Sequence, residues 1–458
     1  MFPSPRHLPC WTRKGIVRPV KTIGSHVHAA FYALLALVGL SPLLSFFDRL
    51  WADGIVELYV AVTLGIVAVF IRPGEAAFWV KTTRWAIILA AVPLLWMIVQ
   101  LLPLPIGSIS GSIWQSAGSA LGTNLWSSIT IDPGLTILAL CRYASIIAVG
   151  IIAAAVSIDR LQAERLFFVL GFAVVVLALL SVVHQLGGFA FLGDRGSDSI
   201  RAATLTGSVY GVVLFAALAI LIVERHLTRR SQHDFRWQFL MPLAGSIGGF
   251  AFCCLATLIA GSEQTIFAAG CGLATVVIIQ FVRRIGLDWR AAAAMGCVAI
   301  IGAAVIVATK GHPALADFSM RYATHTTADF ISVSDRLVHG VGFAGSGAGT
   351  FEAIYRLYAV QDISGATLAP TLAAQIAIEL GRPALWIMTM LMVALIFLCA
   401  RGGFNRGRDF FYSIGGAGVG VASLVLAFCD IGMSNLVISM LLAASLGLAL
   451  AQSLSRTL

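Results

Sequence analysis

Arg321, His325, Arg336, His339, Arg356 and Arg382 lie within residues 310–382, a polar stretch with strongly apolar segments on both sides. Arginine carries a planar fork of donors that grips oxyanions at any relevant pH, and histidine moves protons near neutrality. A stretch with that content can bind an anion and shuttle a proton. It also holds the run Gly345-Ser346-Gly347-Ala348-Gly349-Thr350-Phe351, followed by Tyr355. Loops longer than about 12–15 residues are uncommon unless they bind or catalyse something or are disordered. The glycine run is not a nucleotide-binding P-loop, because it lacks the Gly-Lys-Ser/Thr ending and no strand precedes it. Glycine here permits a tight turn with backbone close to a ligand or a helix. His325 and His339 fit a structural role as readily as a catalytic one, and Asp335 and Glu352 are alternative carboxylates for proton transfer.

The elements that position these residues are set by lipid. Hydrophobic residues make up 59% of the chain and charged residues 11%, against roughly 25% charged in a soluble domain, and mean hydropathy is +0.93. The net charge of +9 does not indicate nucleic acid, because the basic residues fall in short clusters between apolar segments, as membrane orientation requires. Cys253, Cys254, Cys271, Cys297, Cys399 and Cys429 sit inside apolar runs without metal-ligand spacing and read as small core residues.

A spanning helix needs about 20 mostly apolar residues. The sequence accommodates about twelve, near 29–47, 54–71, 85–103, 135–156, 167–187, 209–224, 240–260, 265–282, 291–309, 384–400, 412–430 and 434–452. The expected organisation is a basic cytoplasmic tail at 1–28, nine helices over 29–309 with outer connections at 104–134 and 188–208, a large outer loop at 310–382, and three helices with a short cytoplasmic tail over 383–458. With both termini inside, the inner connections carry Arg72, Lys81 and Arg84; Arg160 and Arg165; Arg225, Arg229, Arg230 and Arg236; Arg283, Arg284 and Arg290; and Arg401, Arg406 and Arg408. That agrees with the positive-inside rule. Arginines in 188–208 and 310–382 fall on the translocated side, so orientation does not explain them. Glu57, Arg142 and His184 lie in or near spans, where an ionisable group is either functional or reaches out from a helix end.

Several stretches carry a resemblance. Gln100-Leu101-Leu102-Pro103-Leu104-Pro105 is followed by Ser128-Ile129-Thr130-Ile131-Asp132-Pro133-Gly134-Leu135-Thr136. Then come Arg201 to Tyr210, Leu258-Ile259-Ala260-Gly261-Ser262, and Ser334-Asp335-Arg336 with Gly345 to Phe351 and Tyr355. Last is Gln375-Ile376-Ala377-Ile378-Glu379-Leu380-Gly381-Arg382-Pro383. In this order, over roughly residues 85–400, they resemble the O-antigen ligase and polysaccharide polymerase superfamily of bacterial inner-membrane proteins. The chain departs from that pattern at Pro370-Thr371-Leu372, where the family has a histidine, at Gly207-Ser208-Val209-Tyr210, and at Glu263, where the family has arginine.

The resemblance implies an all-α, GT-C-like membrane fold in the bacterial inner membrane and metal-independent, cofactor-free transfer of a glycan from undecaprenyl pyrophosphate on the periplasmic face. It implies a glycan or lipid acceptor, surrounding membrane lipids, and other polysaccharide synthesis or export proteins as partners. Arg201 and Arg336 match the family's arginine positions and are expected to hold the pyrophosphate. His325 and His339 are the expected proton-transfer candidates, and Arg321, Arg356, Gly347, Gly349 and Tyr355 the expected substrate contacts. The missing histidine shifts the expectation slightly towards a polymerase. A transporter or flippase for a lipid-linked or anionic solute, and a non-catalytic scaffold, remain the alternatives.

Overall fold

The computed structural model describes residues 23–45, 50–70, 73–103, 112–123, 125–187, 193–229, 236–286, 317–324, 328–358, 369–405 and 410–453. Every regular element among them is helical. In chain order these are α1 (Ile23–Leu44), α2 (Leu50–Phe70), α3 (Pro73–Leu101), α4 (Ser112–Leu121), α5 (Pro133–Val156), α6 (Arg160–Gln185), α7 (Gly193–Arg229), α8 (Arg236–Ala260), α9 (Glu263–Ile285), α10 (Ala328–Gly340), α11 (Phe351–Tyr358), α12 (Leu372–Glu379), α13 (Arg382–Asn405), α14 (Phe410–Cys429) and α15 (Leu436–Ala451). A 3₁₀ turn, Gly432–Ser434, joins the last two.

Nine helices among the described residues are long and apolar enough to cross a membrane, and Ala29–Leu44 and Leu436–Ala451 are shorter apolar helices. The chain is therefore an all-helical, multi-pass membrane protein. The span expected at 291–309 and the basic tail up to residue 22 lie outside the described residues.

Two connections are more helical than the composition predicts. α7 begins at Gly193, so most of 188–208 is helix and Arg201 lies inside it. Two of the polar residues that make this stretch read as a loop bond back into the helix. Thr204 donates its hydroxyl to the Arg201 carbonyl at 3.1 Å, and Ser208 donates to the Leu205 carbonyl at 2.7 Å. Similarly, α3 extends back to Pro73 and takes in Lys81 and Arg84, assigned above to an inner connection. Arg84 lies over the ring of Trp85, so its charge stays at the helix surface while the stem covers apolar area.

α7 and α14 are buried along most of their lengths, and the other spans surround them. Among helices in lipid, attraction comes from close packing and hydrogen bonds, because lipid tails are as apolar as leucine. The run Gly415-Gly416-Ala417-Gly418-Val419-Gly420 of α14 supplies that closeness. A Cβ at Gly418 would lie 2.7 Å from Val213 Cγ1 of α7 and 2.9 Å from the Gly272 carbonyl oxygen of α9. One turn on, Ser423 donates to Tyr210 Oη of α7 at 2.8 Å. Cys253, Cys399 and Cys429 are buried free thiols, consistent with their reading as core residues.

Gly418→Val is expected to lower stability by about 3 kcal/mol or more, because backbone rather than a flexible side chain must move. Thermal unfolding in detergent micelles measures it. Gly245→Val, at a position with nothing within 4 Å of the added carbon, is the control expected to unfold near the wild-type temperature.

Candidate functional site

Short contacts gather the separated sequence motifs at one end of the bundle. Gln100, at the end of α3, donates through Nε2 to the carbonyls of Ala344 (2.9 Å) and Glu379 (3.0 Å), and its Oε1 accepts from the Ala348 amide at 3.3 Å. Ile131 donates its amide to the Ser346 carbonyl, and Thr136 donates its hydroxyl to the Ala348 carbonyl. Trp96 Nε1 donates to the Leu380 carbonyl at 2.9 Å. Asp132 caps α5 by accepting from the amides of Gly134 and Leu135, with Pro133 in the first turn where a missing amide costs nothing. The α8–α9 hairpin lies at the same end, because Gln185, at the end of α6, donates to the Ile259 carbonyl.

At the centre is Glu379, 7% exposed. Its Oε2 accepts from the Gly349 amide at 2.9 Å, and its Oε1 accepts from the Phe351 amide (3.2 Å) and from Gln375 Nε2 (3.1 Å). Burial pushes this carboxyl above its usual range, and those donors together with the Arg142 guanidinium pull it back. The glycine run is folded tightly around it. Gly345 and Gly347 have φ of +82° and +109°. A Cβ on Gly345 would enter the Glu379–Gly381 backbone, and one on Gly347 would strike Thr130. The amide of Gly347 donates to the Glu379 carbonyl. Gly347 and Gly349, expected as substrate contacts, thus have their amides engaged by Glu379. The close approach to a helix considered from the sequence is observed at Gly345, against the Glu379–Gly381 backbone.

Arg142 of α5 donates to the Ser434 carbonyl at 2.6 Å, which ties the spans to the turn before α15. On the other side of that turn, Asp430 is buried and accepts from the Ile431 amide at 2.8 Å. Its carboxyl is pushed up to about 6 by burial, opposed by the Ile431 amide, by Arg201 and by the Gly432 amide. Ala202, Ile431, Phe330 and Leu337 share one apolar cluster with Tyr355 and Ile378. The start of α7, carrying Arg201, therefore belongs to the same capped end as α10, carrying Arg336.

The structure sorts the expected arginines by what already holds them. Arg356 is paired with Glu352 one turn earlier, and Arg382 with Asp317 at 3.3 Å. Arg201 sits in the field of Asp430. Arg336 is exposed and, among the described residues, reaches only the Ser332 carbonyl of its own helix, at 3.4 Å. Arg321 has no ion-pair partner among the described residues, and its Nε is buried without an acceptor.

α10 is amphipathic. Phe330, Ile331, Val333, Leu337 and Val338 face the core, while Asp329, Ser332, Arg336 and His339 form an exposed stripe. Arg336 and His339, three residues apart, therefore share a face. The His339 ring is held by the Asp335 carbonyl oxygen at 2.9 Å from Nδ1. His325 lies outside the described residues. Tyr355, expected as a substrate contact, is 2% exposed, with its ring between Phe330 and Phe351 in the core.

The sequence reading assigned no role to Glu379, Gln100 or Asp430 and left Arg142 open. The available signal was an acidic or amide side chain interrupting an otherwise apolar run. The chain matches no family model and no curated protein, so the functional reading rests on these residues.

Glu379→Ala is expected to cost about 3 kcal/mol by leaving buried amides unpaired, read as a lower unfolding temperature. Asp430 gives a pH signature. Its folded value, about 6, lies above its ordinary 3.8, so the native state binds the extra proton and stability falls as pH rises between them. Measured against Asp430→Asn, wild-type stability is expected to decline from about pH 4 to about pH 6, by about 3 kcal/mol, and then level off.

Proposed function

We propose that this chain transfers a glycan from undecaprenyl pyrophosphate to an acceptor hydroxyl at the outer face of a bacterial inner membrane, as a polysaccharide polymerase or O-antigen ligase. The observation that carries this reading is convergence. Gln100, Thr130, Thr136, the 345–351 run and Glu379 come from stretches as much as 279 residues apart, yet they hydrogen-bond into one buried knot, with the Arg201 and Arg336 elements at the same end. Those are the stretches whose order resembles the ligase and polymerase superfamily.

In the proposed reaction the acceptor oxygen bonds to the anomeric carbon as that carbon's bond to the pyrophosphate oxygen breaks. Undecaprenyl pyrophosphate departs with the bonding electrons. The barrier falls if cations meet the charge developing on the leaving group. Arg201 and Arg336 are the proposed cations, Arg336 being free of an acidic partner among the described residues. His339, on the same face of α10, is the proposed acceptor of the hydroxyl proton; otherwise the departing pyrophosphate takes it.

Arg336→Ala is expected to reduce transfer about 100-fold, as loss of a charge-stabilising donor does, with Arg336→Lys intermediate because a lysine lacks the bidentate fork. The readout is polymer length, abundance and lipid attachment of the host's surface glycans. If all three are unchanged while the variant is present at wild-type level, the catalytic role of Arg336 is wrong.

A further inference from the structure

The connection from α3 to α5 differs in kind from the other long connection at the capped end. Residues 310–382 carry Arg321, Arg336, Arg356 and Arg382, whereas from residue 102 to residue 131 there is no Asp, Glu, Lys or Arg. Its described helix, α4, places Trp114, Ala117 and Leu121 on one side and Ser116 and Ser119 on the other. Gly122, at φ +63°, ends α4 in the left-handed turn open to glycine, and Leu125 and Trp126 follow. Leu121 is 67% exposed, Trp126 is 82% exposed and Leu125 is exposed too. Among the described residues no other helix packs along α4. Exposed apolar side chains grouped on one short segment mark a place that something else covers.

The level of the segment decides what that is. Leu101 ends the span Thr83–Leu101 and Pro133 begins the span Pro133–Val156, so the connection leaves the membrane boundary and returns to it. Two bonds keep it there. The Thr130 amide donates to the Gln100 carbonyl at 3.2 Å, and Trp114 Nε1 donates to the Thr130 carbonyl at 2.9 Å. α4 is thus hung by its own tryptophan from the level at which both spans end. Leu102, just past the first span, and Ile137 and Leu138, in the second turn of the other, are exposed as lipid-facing residues are. Indole and leucine beside serine, without charge, suit the layer between hydrocarbon and water, where amphipathic rings are favoured. With no basic residue in the segment, its attraction to a bilayer comes from apolar burial and not from anionic lipid.

We propose that α4 and Leu125–Trp126 lie against the bilayer at its boundary, with lipid covering this apolar face, and anchor the capped end to the membrane surface. The anchor is tied directly to the buried knot. Thr130, which holds Trp114 through its carbonyl, meets the Thr136 hydroxyl at 2.7 Å and abuts Gly347. The two long connections thereby face different media, 102–131 lipid and the Arg336 stripe of α10 water. This assignment does not depend on the transferase reading.

The test uses the full chain in phosphatidylcholine nanodiscs, with benzoyl-phenylalanine, a photo-crosslinker that attacks C–H bonds, placed singly at Leu121, Trp126, Met390 or Ser332. Met390, exposed on the span Arg382–Phe404, is the lipid-facing reference, and Ser332, exposed on the polar stripe of α10, is the water-facing one. All four positions are exposed, so each variant is expected to unfold near the wild-type temperature. Mass spectrometry reads the fraction of each site that carries phospholipid. Leu121 and Trp126 are expected to approach the yield at Met390 and to exceed that at Ser332 several-fold, in phosphatidylglycerol nanodiscs as in phosphatidylcholine. Yields at both positions no higher than at Ser332 overturn the assignment. Crosslinks to a second copy of the chain or, in the host membrane, to another protein in place of lipid overturn it too, because the face would then be a protein interface. A lipid yield that appears only with phosphatidylglycerol also overturns it, since charge and not apolar burial would then hold the segment.

Discussion

The capped end of this protein depends on one buried carboxylate. Glu379 sits at the end of a short helix and holds the amides of Gly349 and Phe351, which determines where the glycine run turns and where α11 begins. The same backbone meets Gln100 and the cap of α5, so the carboxylate links α3, α5, α11 and α12 at once. A desolvated carboxylate is tolerated only where donors satisfy it, and here three do, with Arg142 within electrostatic reach. Because its acceptor sites are occupied and it is buried, Glu379 serves to build the capped end.

Around that knot the arginines divide into two kinds. Arg142, Arg356 and Arg382 are tied to a carbonyl or a carboxylate of the protein itself. Such groups hold chain segments in place. Arg321 and Arg336 are held by no carboxylate among the described residues and keep their charge available. Arg201 stands between these cases, since Asp430 acts on it from a turn that is itself packed against α7. A reading by residue type treats all six alike; only their partners tell them apart.

The membrane-crossing part is built on different physics. With no hydrophobic drive between helices in lipid, α14 is packed through glycine, and polar groups such as Ser423 and Tyr210 bond across the contact. This tight packing gives the capped end a stiff base. The Arg142–Ser434 bond and the Ala202–Gly432 contact carry that stiffness from the spans into the turn that bears Asp430.

The sequence by itself determined the class of fold. Runs of about 20 apolar residues have to span a membrane as helices, since no other open structure satisfies the backbone there, and their positions follow from composition alone. It also located the polar stretches and the residue types suited to anions. Tertiary structure decided the rest. Arg201 became part of a buried helix that meets α8 through Ser208 and Thr257 and the 432–434 turn through Ala202. Gly347 and Gly349 turned inward because Glu379, from thirty residues further on, takes their neighbourhood as its solvent. Tyr355 went into the core with Phe330 and Phe351, and Arg321 kept a buried Nε with no acceptor among the described residues. Lipid solvation acts on each segment separately and so is written along the chain, whereas pairing depends on which distant residue arrives.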